Sequence, residues 1–225
     1  GRNDVGGGST SNIFIGSSAG YNYGASANNN NVAIGSGAMY GSATIGNNTG
    51  TSNVAMGTNA LRFLSSGSSN TGLGLGALYS NTSASYNTAV GYQALYINNT
   101  GASNTAVGRG ALYGYLGAGT GSSNTAVGDL SLFVNSTGNY NVAVGKDALQ
   151  ANTTASNNTA VGYQAGYSNT TGTENVFTGL VTGYSNTTGN YNNAYGARSL
   201  SANTTGSYNT AIGHQALQAN TTASD

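Results

Sequence analysis

The chain contains no cysteine, no proline, no tryptophan and a single histidine, and only 4% of its 225 residues are charged. Each absence excludes something. Without cysteine there is no disulfide staple, no thiolate metal site and no thiol nucleophile. One histidine cannot form an imidazole cluster. Five basic residues against five acidic ones, with no basic run, leave nothing to neutralise a phosphate backbone, so no nucleic-acid partner is expected. No apolar stretch approaches the eighteen or so residues of a membrane-spanning helix. The chain does not open on methionine and reads as a fragment or processed form. Residues 1–11, Gly-rich and almost featureless, read as a leader or linker.

What the sequence has instead is glycine, asparagine and repetition. Glycine makes up 37 of 225 residues, more than twice the usual share of about 7%. From Asn12 to the end the chain is built of twelve Asn-initiated repeats, starting at Asn12, Asn31, Asn53, Asn70, Asn87, Asn104, Asn124, Asn141, Asn158, Asn175, Asn192 and Asn209. The period is 17 residues, with an excess of two after Asn12, five after Asn31 and three after Asn104. Such a period is the mark of a stacked architecture. Position five is glycine in all twelve copies: Gly16, Gly35, Gly57, Gly74, Gly91, Gly108, Gly128, Gly145, Gly162, Gly179, Gly196 and Gly213. A glycine that never varies points to a positive φ or to backbone packed too closely for a Cβ. Position four is usually aliphatic, position eight small, position nine mostly Leu, position ten often Tyr or Phe, and positions twelve to fifteen read Asn-Thr-Thr-Gly or close to it.

Each unit offers two short β-compatible runs, Asn-Thr-Ala-Val and a second near Ala94–Tyr96, separated by two corners. The segment YQALY could hold little more than one helical turn, too little for a stable helix. The expected fold is all-β: a parallel β-solenoid of about twelve 17-residue coils, one per repeat. At the strand spacing of about 4.8 Å its length would be on the order of 58 Å. Val90, Val107 and Val144 with Leu95, Leu112 and Leu149 are expected to form its apolar core, stacked Asn a hydrogen-bonded ladder, and the excess residues edge loops. Position-three Ala and the aromatics look placed for contact with another chain.

The phrase Asn-Thr-Ala-Val-Gly-x-x-Ala-Leu resembles the head repeats of trimeric autotransporter adhesins, and still more the repeats of phage and cyanophage tail fibres. The resemblance covers about Asn12 to Thr222. It implies a left-handed β-roll, a homotrimer of parallel chains, and an extracellular place on a cell surface or a virion tail fibre. The function this suggests is a structural spacer or adhesin, with an end-to-end filament subunit as the alternative.

Catalysis is not expected. The charged residues are scattered, and Asp129 and Asp147, one coil apart, read as a solvated edge with Lys146 nearby. Gly72–Leu78 looks like a dinucleotide loop but lacks the following helix and acidic residue, so no cofactor is expected, and no metal. Position-two threonines such as Thr88, Thr105 and Thr125 form one column interrupted by Val, which gives an ice-matching array little support. Carbohydrate contact is the more plausible surface function, since exposed Tyr and amides supply rigid amphipathic area and hydrogen bonds. Tyr92, Gln93, Tyr163 and Gln164 are the candidates, with a cell-surface glycan as partner. Asn-x-Thr sequons at Asn152 and Asn169 fall on the repeat, where turn chemistry accounts for them.

Overall fold

The computed structural model describes residues 11–23, 30–42, 48–114 and 119–224. Among them are twelve three-residue strands, one per repeat: β1 (Ile13–Ile15), β2 (Val32–Ile34), β3 (Val54–Met56), β4 (Thr71–Leu73), β5 (Thr88–Val90), β6 (Thr105–Val107), β7 (Thr125–Val127), β8 (Val142–Val144), β9 (Thr159–Val161), β10 (Val176–Thr178), β11 (Asn193–Tyr195) and β12 (Thr210–Ile212). They form a single parallel sheet in sequence order. Equivalent positions pair throughout, so Ala89 faces Ala106 and Ala106 faces Ala126. The protein is an all-β parallel solenoid with coils of about 17 residues. The excess residues of the longer repeats fall in 24–29, 43–47 and 115–118, and these, like most of the Gly-rich leader (1–10), lie outside the described residues.

Hydrogen bonds between coils continue well beyond the strands, as a chain with this much polar backbone in its interior requires. In the coil starting at Asn87, the N–H groups of Thr88, Leu95 and Ile97 donate forward to the carbonyls of Asn104, Ala111 and Tyr113 at 2.8–2.9 Å. Those of Gly91, Gln93 and Ser103 donate backward to Leu73, Leu75 and Ser85 at 2.8–3.1 Å. The second β-compatible run is therefore laddered, but it is not a strand. Gln93 and Leu95 have φ of +53° and +50°, so the chain turns at alternate residues there, and the tight corner replaces the extended run expected from composition. Leucine rarely adopts a positive φ; the forward bond from its N–H and the burial of its side chain hold it there.

The core corrects one expectation. Val90, Val107 and Val144 are not buried: they lie half-exposed on the outer face of the sheet, together with Thr88, Thr105 and Thr125. Strand alternation turns Asn87 and Ala89 inward instead, and every position-three alanine on the strands is buried. The interior is too narrow for a second large side chain because Leu95, Leu112 and Leu149 enter it from position nine, where they are buried. A methyl is what fits opposite them. Column three is accordingly sealed inside and unavailable to another chain.

Where column three carries a ring, column nine gives way. Phe177 is fully buried, and position nine is glycine both in its own coil (Gly183) and in the preceding one (Gly166). A Cβ on either would strike the Phe177 ring. Phe14 is matched in the same way by Gly20.

The other side of the interior is polar. The N–H groups of Asn104, Asn124 and Asn141 donate to the Oδ1 of the Asn one coil earlier at 2.9–3.0 Å. Their amide groups reach the carbonyl at position fifteen, where a second asparagine column, position twelve, also donates. Gly101 O thus accepts from Asn87 at 3.0 Å and from Asn98 at 2.8 Å. Next to it, the hydroxyls of Thr153, Thr170 and Thr187 donate to the Thr carbonyl of the next coil at 2.9–3.1 Å. The Asn-Thr corner is in this way a pair of ladders as well as a turn.

Candidate functional site

A corner glycine opens the edge on which position six lies. The twelve position-five glycines have φ between +118° and +137°, a region in which L side chains are strained. From Gly16 to Gly196 each also lies against the backbone of the next coil's glycine, so that an added Cβ would land on it. This close column fixes the direction in which positions six and seven leave the coil.

On that edge Tyr92 and Tyr163 are half-exposed, and Gln93 and Gln164 are partly buried beside them. The structure does not bring the two pairs together. Four coils separate them, about 19 Å at the strand spacing, and the positions between carry charge. Arg109 Nη2 donates to Asp129 Oδ2 at 3.0 Å, and Nε lies 2.9 Å from Oδ1. Lys146 Nζ donates to Asp147 Oδ2 at 3.1 Å. That bond and the carboxylate's charge push the Lys146 ammonium above its usual range. Gln164 Nε2 reaches the same Asp147 oxygen at 3.5 Å, the outer limit of a hydrogen bond. Asp129 and Asp147 do lie on adjacent coils, with the Asp147 N–H on the Asp129 carbonyl at 2.9 Å, but each carboxylate faces its own cation, and Asp147 is buried where a solvated edge was expected, because its side chain folds under the Lys146 ammonium that it accepts from. His214 is exposed in the same column. No group of three His, Cys, Asp or Glu that could hold a metal ion occurs among the described residues.

Column ten is a second surface feature. Its rings stack on one another: Tyr79 on Tyr96 at 4.7 Å and 7°, Tyr96 on Tyr113 at 5.1 Å and 7°, and Tyr113 on Phe133 at 5.1 Å and 27°. Partial burial, with the neighbouring phenols second, raises the Tyr96 hydroxyl above its usual range. Arg62 takes the column's place between Tyr40 and Tyr79, its guanidinium 4.9 Å from the Tyr40 ring centre. Tyr167 and Tyr184 stack at 5.1 Å and 6°, and there the ladder stops, because the next residue in the column is Ser201. A groove of about 460 Å³ opens at this break, lined in part by Tyr184, Arg198 and Gln218. Column seventeen adds Tyr191 on Tyr208 at 4.9 Å and 9°, and the Glu174 carboxylate beside Tyr191 raises its phenol.

The break at Ser201 was available in the sequence: aligned by repeat, it is the one small residue in column ten. Position six drew attention first because its tyrosines are the more exposed. The outward apolar column four was missed because valine is read by default as core.

Comparison with family models, with curated proteins and with solved structures returns no match to this chain. The fold itself defines the class: a repetitive, extended parallel β-solenoid. No helix among the described residues is long and apolar enough to cross a membrane.

Proposed function

We propose that this chain is a non-catalytic structural segment of an extracellular fibre or adhesin, on a cell surface or a virion tail fibre. It acts as a spacer that associates with copies of itself and offers its sides to carbohydrate. The observation that carries the reading is the outer face of the sheet. Column four runs Ile15, Ile34, Met56, Leu73, Val90, Val107, Val127, Val144 and Val161, nine large apolar residues in consecutive coils, none of them buried. A continuous exposed apolar stripe of this kind is a mark of an interaction surface, and it runs along the rod, as lateral packing of parallel chains needs. The sequence resemblance supports a trimer. The separate pairing of Asp129 with Arg109 and of the buried Asp147 with Lys146 supports a structural role for both carboxylates over paired acid–base chemistry.

Light scattering and electron microscopy on one native sample test this reading. A discrete rod of three times 22.2 kDa supports the trimeric fibre segment. Long filaments would overturn it in favour of the filament subunit named as the alternative, and a stable 22.2 kDa monomer would remove association altogether.

A further inference from the structure

We infer that the break in the ring ladder at Ser201 is a binding slot for a carboxylated pyranose, a hexuronic acid residue of an acidic polysaccharide. This deepens the carbohydrate part of the reading above and is independent of how the chain associates. Tyr167 holds the Tyr184 ring parallel to itself at 6°, so Tyr184 presents a fixed, flat face towards the next coil. A ring would continue the stack there; Ser201 leaves its place open, and Gln218 forms the far wall two coil rises, about 10 Å, from Tyr184. The gap is therefore one ring thick. Where the ladder is interrupted elsewhere, by Arg62 and by Gln150, a long side chain occupies the column.

The lining selects the ring. The groove of about 460 Å³ is bounded by Val181, Tyr184, Ser185, Arg198, Ser201 and Gln218, a volume within the range of small-molecule sites. The C–H face of a pyranose packs on an aromatic ring; its hydroxyls meet Ser185, Ser201 and the Gln218 amide at the rim. Three arginines are described. Arg62 lies over Tyr40 and donates to Asn59, and Arg109 is paired with Asp129. The Arg198 guanidinium has no ion-pair or hydrogen-bond partner among the described residues. A planar fork of donors beside a slot is the complement of a carboxylate. A neutral sugar would leave Arg198 without a role, and an aromatic acid would leave the polar rim without one.

The test is a titration of the ¹⁵N-labelled chain, followed by amide chemical shifts, with methyl glucuronide, methyl glucoside and benzoate as probes. Methyl glucuronide is expected to shift the amides of Tyr184, Arg198, Ser201 and Gln218 saturably at millimolar concentration, and methyl glucoside to bind at least tenfold more weakly. Arg198→Gln should bring the glucuronide down to the glucoside's affinity. Ser201→Tyr completes the ring ladder and should abolish binding of both sugars while the circular dichroism spectrum is unchanged. Benzoate binding as tightly as the glucuronide would overturn the sugar assignment. Glucuronide binding that survives Ser201→Tyr, or no saturable shift at tens of millimolar, would overturn the slot. Saturable shifts confined to Tyr92 or Tyr163 would overturn it too, while leaving carbohydrate contact in place.

Discussion

Phe177 and its two facing glycines are a volume exchange within an otherwise repetitive core. Phe177→Ala should cost about 3–5 kcal/mol, because the lost ring leaves a cavity that the hydrogen-bonded coils cannot collapse around. Adding Gly183→Leu to that variant should recover part of the loss. Leucine already occupies column nine at φ near +50°, as at Leu95, Leu112 and Leu149. Gly183→Leu alone should destabilise, since its Cβ would meet the Phe177 ring. Chemical denaturation of the three variants checks all three signs. The asparagine columns allow another residue-level expectation. Asn169 is fully buried, with its amide nitrogen donating to Asn152 Oδ1 at 3.1 Å and to Gly172 O at 2.9 Å. Mass spectrometry of protein made in a glycosylating host should find its sequon unmodified in the folded chain.

At the scale of the coil, the corner glycine separates two causes that usually travel together. Gly128 has φ +133° and lies against the Gly145 backbone, whereas Gly213 has φ +118° and nothing within 4 Å of its Cβ position. Gly213→Ala should therefore show only the backbone strain, about 1–3 kcal/mol. Gly128→Ala should show that strain plus a forced separation of two coils, and a clearly lower melting temperature. The period, the invariant glycine and the asparagine ladder were legible in the sequence because each is a repeated demand of backbone geometry or hydrogen bonding. The facing of the strand was not. Hydrophobicity ranks Val90 above Ala89 as a core residue, and only the cross-section, already filled by Leu95, reverses the order. The turn at Gln93 and Leu95 was hidden for a related reason: side-chain preference argues against a positive φ there, and the inter-coil bonds overrule it. The candidate slot was visible only as a missing ring, which needs the column's stacking to become a shape.

For the molecule as a whole, pH dependence should be governed on the alkaline side by phenols. Tyr23 is raised well above the ordinary 10.0 by burial, Tyr96 by partial burial and Tyr191 by Glu174. A group with a raised folded pKa contributes stability that is present below its unfolded value and lost as pH climbs towards the folded one. Melting temperature should therefore fall above about pH 10, and the fall should be smaller in Tyr23→Phe. The direction of the inter-coil hydrogen bonds has a mechanical counterpart. They join each coil to the next along the stacking direction, so a pull on the two ends loads them one turn at a time, as a zipper is loaded. Each released turn would add about 53 Å of slack: 17 residues at roughly 3.4 Å each, less the 4.8 Å that the turn spanned when folded. A single chain stretched by optical tweezers should lengthen in a staircase of nearly equal steps, absorbing work turn by turn and keeping the remaining rod intact.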